Sequence, residues 1–133
     1  MGSSFDEGVR LFNDQEFFEA HEVWEDLWKK TSGPDRNFYQ GLIQVTSALH
    51  HLKKGNMKGA RVLHDSAWTL LNPYGLVYGG IDLKALNSTM THVLSDILSK
   101  PLQELAGRHQ PDGFKIPWHS ALAFKMPLAV PPC

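Results

Sequence analysis

Residues 16–28, EFFEAHEVWEDLW, place four glutamates, one aspartate, one histidine and four large aromatics in thirteen positions. A carboxylate beside an imidazole raises its pKa toward working pH, as a general base needs. His21 and Glu25 stand four residues apart, so a helix would put them one turn from each other on one face. That pair could work as a base with its orienting carboxylate, share a metal ion, or form one link of a buried hydrogen-bond network. A second set follows: Gln40, Gln44, Ser47 and His51 recur at i, i+4, i+7 and i+11, which is again one helical face. Its chemistry is polar and uncharged.

Several catalytic classes are excluded by spacing. The run HEVWE has Glu25 where a zincin needs its second imidazole. None of the seven histidines has an acidic residue three positions before it, so the Glu-x-x-His pairs of a di-iron carboxylate bundle are missing. There is no Gly-x-Ser-x-Gly elbow and no phosphate-cradling Gly-x-x-x-x-Gly-Lys loop. No cofactor is expected from the motifs. If a divalent metal were held, His21 and Glu25 would be its ligands with His51, or else His50, arriving from the third helix, leaving an open position for water.

The elements that must carry these side chains can be read from periodicity. At about 100° per residue, with Phe17 at zero, Val23, Leu27, Ala20, Trp24, Phe17 and Trp28 fall in one arc from about 240° to 20°. His21 at about 40° and Glu25 at about 80° lie on its rim. Glu19, Glu22, Asp26, Lys29 and Lys30 face the other way, toward solvent. A first short helix is expected over 4–12. Asn13 and Glu16 have capping-box spacing for a second helix running from about 14 to Lys30, stopped by Thr31-Ser32-Gly33-Pro34.

A third helix spans 35–54 with no Asp, Glu, Lys or Arg from Asn37 to Leu52. A helix without a charged side is expected to have neighbours on most sides. Its amides and imidazole then need polar partners, because an unpartnered buried amide costs about 1–3 kcal/mol. His21 and Glu25, across a short turn, are the nearest in sequence. A polar seam between helices two and three, walled by Trp24 and Trp28, is therefore expected.

Gly55 ends the third helix and Asn56 caps a fourth that runs to about Leu71. His64 sits in it among Met57, Ala60, Ala67, Trp68 and Leu71 and reads as a satisfied core residue. A loop of about ten residues holds Asn72-Pro73 and Gly79-Gly80, and Asp82 caps a fifth helix with Leu83, Leu86, Met90, Val93, Leu94 and Ile97 as its apolar stripe. No strand is expected, and one helical pair is not a repeat array. The expected fold is all-α, a compact array of about five helices over 1–100, with a proline-bearing extended tail over 101–133 packed on the same domain.

Composition narrows the partners. With 13 Lys+Arg against 14 Asp+Glu, a net charge of −1 offers no general attraction for nucleic acid or an anionic membrane. Lys53, Lys54, Lys58 and Arg61 read as a solvated edge, with RNA contact the lesser alternative. The single cysteine, Cys133, excludes an internal disulfide framework and a multi-cysteine zinc site. No apolar run reaches the roughly 20 residues of a membrane span, and the acidic start lacks the cationic beginning of a signal peptide. A cytoplasmic protein, monomer or homodimer, is expected.

The segments EFFEAHEVWEDLW, FYQGLIQVTSALHHLKKGNMKGA and GGIDLKAL, in that order and spacing over about residues 5–98, resemble the domain-of-unknown-function family numbered 309. The resemblance implies a compact helical fold and carries no activity, substrate or cofactor with it. Its typical motif positions fall on Glu16, Glu19, His21, Glu22, Trp28, Gln40, Gly41, Gln44, His51, Gly55 and Asn56. The functional expectation is a module that binds a small molecule or protein partner through Glu22, Trp28, Gln40, Gln44 and His51 around His21 and Glu25. The alternative is a small hydrolase-like enzyme, with or without a metal, that uses His21 and Glu25 catalytically.

Overall fold

A computed structural model describes residues 2–95. Five helices follow one another: α1 (Ser3–Asn13), α2 (Phe17–Lys29), α3 (Asp35–Lys53), α4 (Met57–Leu71) and α5 (Leu83–Val93). Helix α3 packs against both α2 and α4, while α1 packs against α2. The expected all-α architecture is what forms. The tail expected over 101–133, and Ile97 of the fifth-helix stripe, lie outside the described residues.

The central place of α3 follows from its composition. Phe38, Leu42, Val45, Ala48 and Leu49 are completely buried, and Gly41 lets α4 approach closely, since a Cβ there would stand 2.5 Å from Leu71 Cγ. The α1–α2 contact uses the same device. A Cβ on Gly8 would lie 2.0 Å from Trp24 Nε1, and that indole instead donates to the Phe5 carbonyl at 3.2 Å. Rings of Phe5, Phe12, Phe17 and Trp24 pack around this contact.

Two of the four interhelical connections are closed by one motif. After α3, Gly55 N–H donates to the Leu52 carbonyl at 3.0 Å and Asn56 N–H to His51 at 2.8 Å, with Gly55 at φ 81°. This is a Schellman ending, in which a left-handed residue lets two N–H groups turn back onto the last carbonyls. After α1 the same pair of bonds runs from Gln15 to Phe12 and from Glu16 to Leu11, both 2.9 Å. Here the left-handed residue is Gln15 at φ 65°.

That second Schellman ending corrects the expected capping box. Asn13 is the last residue of α1, and α2 begins after Glu16, which makes no side-chain cap. The chain therefore resolves the local choice in favour of finishing α1. The turn between α2 and α3 is held from the far side: Arg36 donates to the Trp28 and Thr31 carbonyls at 3.2 and 3.0 Å, and its guanidinium lies 4.0 Å from the Trp28 ring centre. A cation over the indole face and against the last carbonyls of α2 suits both.

The expectation of no strand is corrected as well. Val77–Tyr78 (β1) and Ile81–Asp82 (β2) pair antiparallel, with Tyr78 opposite Ile81. Gly79 and Gly80 between them have φ of 58° and 78°, the double left-handed backbone of a type I′ hairpin turn. Tyr78 donates to Asp35 Oδ1 and Tyr74 to the Pro34 carbonyl, tying the hairpin region to the start of α3. The bond to Asp35 is the main cause pushing the Tyr78 phenol up to about 12. Asp82 then caps α5 by accepting from Ala85 N–H at 2.8 Å, as expected.

Candidate functional site

Phe17, Phe18 and His21 of α2 face Ser47, His50 and His51 of α3 across a cleft of about 250 Å³. The two helices meet here because α2 turns its Phe17, Ala20 and Trp24 inward, which leaves the residues next to that arc at the edge of the interface. The polar stripe of α3 arrives at the same edge. Among the described residues this cleft gathers three imidazoles and a hydroxyl between two phenyl rings.

His21 is held by its own helix. Its Nε2 stands 3.4 Å from Glu25 Oε2, and the other carboxylate oxygen lies 3.5 Å from Lys29 Nζ. At 30% and 41% exposure the His21 and Glu25 side chains are on the rim, where the helical wheel puts them. Glu25 does not line the cleft itself. It approaches His21 from behind.

His51 has a defined tautomer. Asn56 Oδ1 accepts the Gly59 N–H at 2.9 Å as the N-cap of α4, which fixes the orientation of the amide. Its Nδ2 therefore faces His51 Nδ1 at 3.1 Å. An amide nitrogen only donates, so Nδ1 is the acceptor, and the neutral ring carries its proton on Nε2. The turn between α3 and α4 thus sets the state of a cleft residue.

His50 completes the group. Its pKa is lowered, first by burial, then by the charges of Lys54, His51, Lys53 and His21. The Phe18 ring lies 6.0 Å from it, and Phe18 is itself 52% exposed, one of the few large apolar side chains left open to solvent. Sequence reasoning passed over Phe18 because it belongs to neither the core arc nor the charged face. Its available signal was position, one turn before Glu22 and three residues before His21.

The remaining expected residues are distributed around the cleft. Gln40 and Gln44 are half-buried on α3, and Gln44 Oε1 is buried with no hydrogen-bond partner. Trp28 packs under Arg36 at the other end of α2, and Glu22 is exposed. Trp24, expected as a wall of the seam, is fully buried against α1; Phe17 and Phe18 form the walls instead. With neighbours on two sides, α2 turns Trp24 and one edge of Phe17 toward α1 and leaves Phe18 beside His50 of α3.

Among the described residues no three His, Cys, Asp or Glu side chains come together as a metal would require. The trio His21, Glu25 and His51 is therefore not assembled as a ligand set. His64, expected as a satisfied core residue, is buried, but its Nδ1 has no hydrogen-bond partner. A larger hollow of about 420 Å³ lies where α1 meets α2, lined by Glu7, Asp26 and Lys30 among others. Size favours it, yet it holds no imidazole, and its charges of both signs are those of an ordinary wet surface. No helix among the described residues is long and apolar enough to cross a membrane.

Comparison with known proteins places this geometry in context. Residues 5–63 match the family described as Domain of unknown function (DUF309). An uncharacterized protein of Aquifex aeolicus is 31% identical over 91 residues, which cover 66% of this chain and 27% of that protein. The uncharacterized protein YpuF of Bacillus subtilis is 34% identical over 56 residues, 41% of this chain and 32% of that protein. The chain thus spans about a quarter to a third of the length of these curated relatives. All six residues that line the cleft fall inside the matched segment.

Proposed function

Taking residues 5–63 as a DUF309 domain, we propose that it is a binding module whose ligand sits in the cleft between α2 and α3, against His21, Ser47, His50 and His51. One observation carries the reading. The C-terminal half of the uncharged polar face of α3, Ser47 and His51 with the adjacent His50, lines a cleft opposite His21 that is walled by Phe17 and Phe18. Apolar walls with a few convergent polar groups are the general composition of small-molecule sites. Glu25 orients His21, while Gln40, Gln44 and Trp28 support the helices that bear the cleft.

The experiment is a fragment screen followed by protein-observed NMR on the full chain. Ligands are expected to shift the resonances of His21, Ser47 and His50 together and to leave those around Glu7 and Asp26 in place. Perturbations confined to that other hollow would overturn the assignment.

A second reading is favoured by the 3.4 Å approach of Glu25 to His21 Nε2. With that nitrogen directed at the carboxylate, His21 Nδ1 would be the atom that takes a proton from water or substrate, as in general-base hydrolysis. Turnover of small ester substrates that is abolished by His21→Gln and depressed by Glu25→Gln would select it over binding alone.

A further inference from the structure

We infer that the cleft between α2 and α3 selects a small organic monoanion with a flat apolar body. The inference rests on the binding reading just given and names its ligand class. Four observations carry it. The lining residues Phe17, Phe18, His21, Ser47, His50 and His51 include no carboxylate, and Ser47, His50 and His51 can each donate a hydrogen bond, while His21 directs its Nε2 at Glu25. Asn56 holds His51 Nδ1 as an acceptor, which leaves Nε2–H as a donor in the neutral ring. Lys53 and Lys54 follow directly on the same helix, and their charges already act on His50. Finally, the walls are phenyl rings, with Phe18 open at the entrance.

Size sets the remaining limit. The cleft of about 250 Å³ is the space of roughly eight waters at about 30 Å³ each. A carboxylate on a single ring fits that volume. The donors fix the charged end and the phenyl walls cover the ring, a division of labour common in small-ligand sites.

Charge also gives the binding a direction with pH. His50 faces His21 of α2 and is flanked on its own chain segment by His51, Lys53 and Lys54; Glu25 pairs with His21. Burial first, and then the neighbouring cations, hold the His50 proton off. A bound anion offsets their repulsion and favours the protonated ring, so binding and proton uptake are linked. Affinity rises as pH falls through the imidazole range.

Titration of the full chain with benzoate, benzamide and inorganic phosphate, followed by the histidine ring resonances and by calorimetry at pH about 5.5 and 8, tests the inference. Benzoate is expected to shift the His50 and His51 rings and to bind several-fold more tightly at the lower pH. His50→Gln, which keeps the side chain's bulk, should weaken benzoate about tenfold, the worth of one charge-assisted bond, and remove most of the pH dependence. Benzamide binding in the cleft as tightly as benzoate would overturn the anion class and leave the binding module standing. Phosphate competing with equal affinity would overturn the apolar body. No perturbation of the cleft by any of the three would overturn both this inference and the reading beneath it.

Discussion

Asn56 Nδ2 lies 3.1 Å from His51 Nδ1, and through that contact the cap of one helix dictates which nitrogen of a cleft histidine carries the proton. Replacing Asn56 by alanine removes the α4 cap, at a cost of about 1 kcal/mol, and releases the tautomer. Asn56→Asp keeps a capping oxygen for Gly59 but turns an acceptor toward His51. The expected result is a ring proton moved to Nδ1 with the cap preserved. Nitrogen chemical shifts of the His51 ring report the tautomer, and urea denaturation reports the cap. An unchanged tautomer in Asn56→Asp would show that the Asn56 amide does not set it.

Gly8 lies inside a helix, where glycine is about 1 kcal/mol worse than alanine. On an unpacked surface Gly8→Ala would therefore stabilise. Here the added Cβ would stand 2.0 Å from Trp24 Nε1, which forces α1 away and threatens the bond to the Phe5 carbonyl. Overpacking of this kind costs about 1–3 kcal/mol, and the lost indole bond adds about 1 kcal/mol. Packing outweighs propensity, so a net destabilisation of about 1–3 kcal/mol is expected, with a red-shifted tryptophan emission as Trp24 meets solvent.

How far the sequence reveals this site depends on the range of the interaction involved. Helical periodicity placed His21 and Glu25 on the rim of the core arc, and they are there, because that arc depends only on residues within one helix. The charge-free run of α3 foretold a central helix for the same reason. Which neighbour each ring would meet was a different matter. Trp24 went to α1 rather than to the seam, since the Phe5 carbonyl and the space above Gly8 are nineteen and sixteen residues away in sequence. Local competition was equally hidden: Asn13 had the spacing of a cap, but the Schellman ending around Gln15 used the same residues first. The Gly79-Gly80 turn was legible as a hairpin signal, but its flanking strands of two residues each lack the length for any alternation to show.

His64 supplies a dependence of stability on pH. It is buried, and burial is the main cause lowering its pKa; Asp65 works against the shift and Arg61 with it. Above about 6.5, the unfolded value, the ring is neutral in both states and contributes no pH dependence. Below it the unfolded chain takes up a proton that the folded chain resists, so stability falls as pH drops toward the lowered folded value. One such proton gives a slope of at most about 1.4 kcal/mol per pH unit. His64→Leu, close in size and without the unpartnered Nδ1, is expected to flatten that part of the curve. Chemical denaturation of both proteins from about pH 7.5 to 5 measures the difference; parallel curves would show that His64 protonates as readily in the fold as out of it.

His21 decides whether the cleft is a site or merely a joint. Its side chain is 30% exposed, and its ion-pair partner among the described residues, Glu25, is 41% exposed and shared with Lys29. An exposed pair at this spacing is worth about 0.3–0.5 kcal/mol, and the half-buried ring adds little packing. His21→Ala should therefore cost under about 1 kcal/mol, far less than the 3–5 kcal/mol typical of emptying a fully buried aromatic position such as that of Trp24. Thermal and urea unfolding of the two variants gives the comparison directly. A side chain that costs so little to remove is not needed to hold the two helices together, which leaves it able to serve a ligand. If His21→Ala instead lost 2 kcal/mol or more, the imidazole would be a structural tie between α2 and α3, and the reading of the cleft as a binding site would lose its central residue.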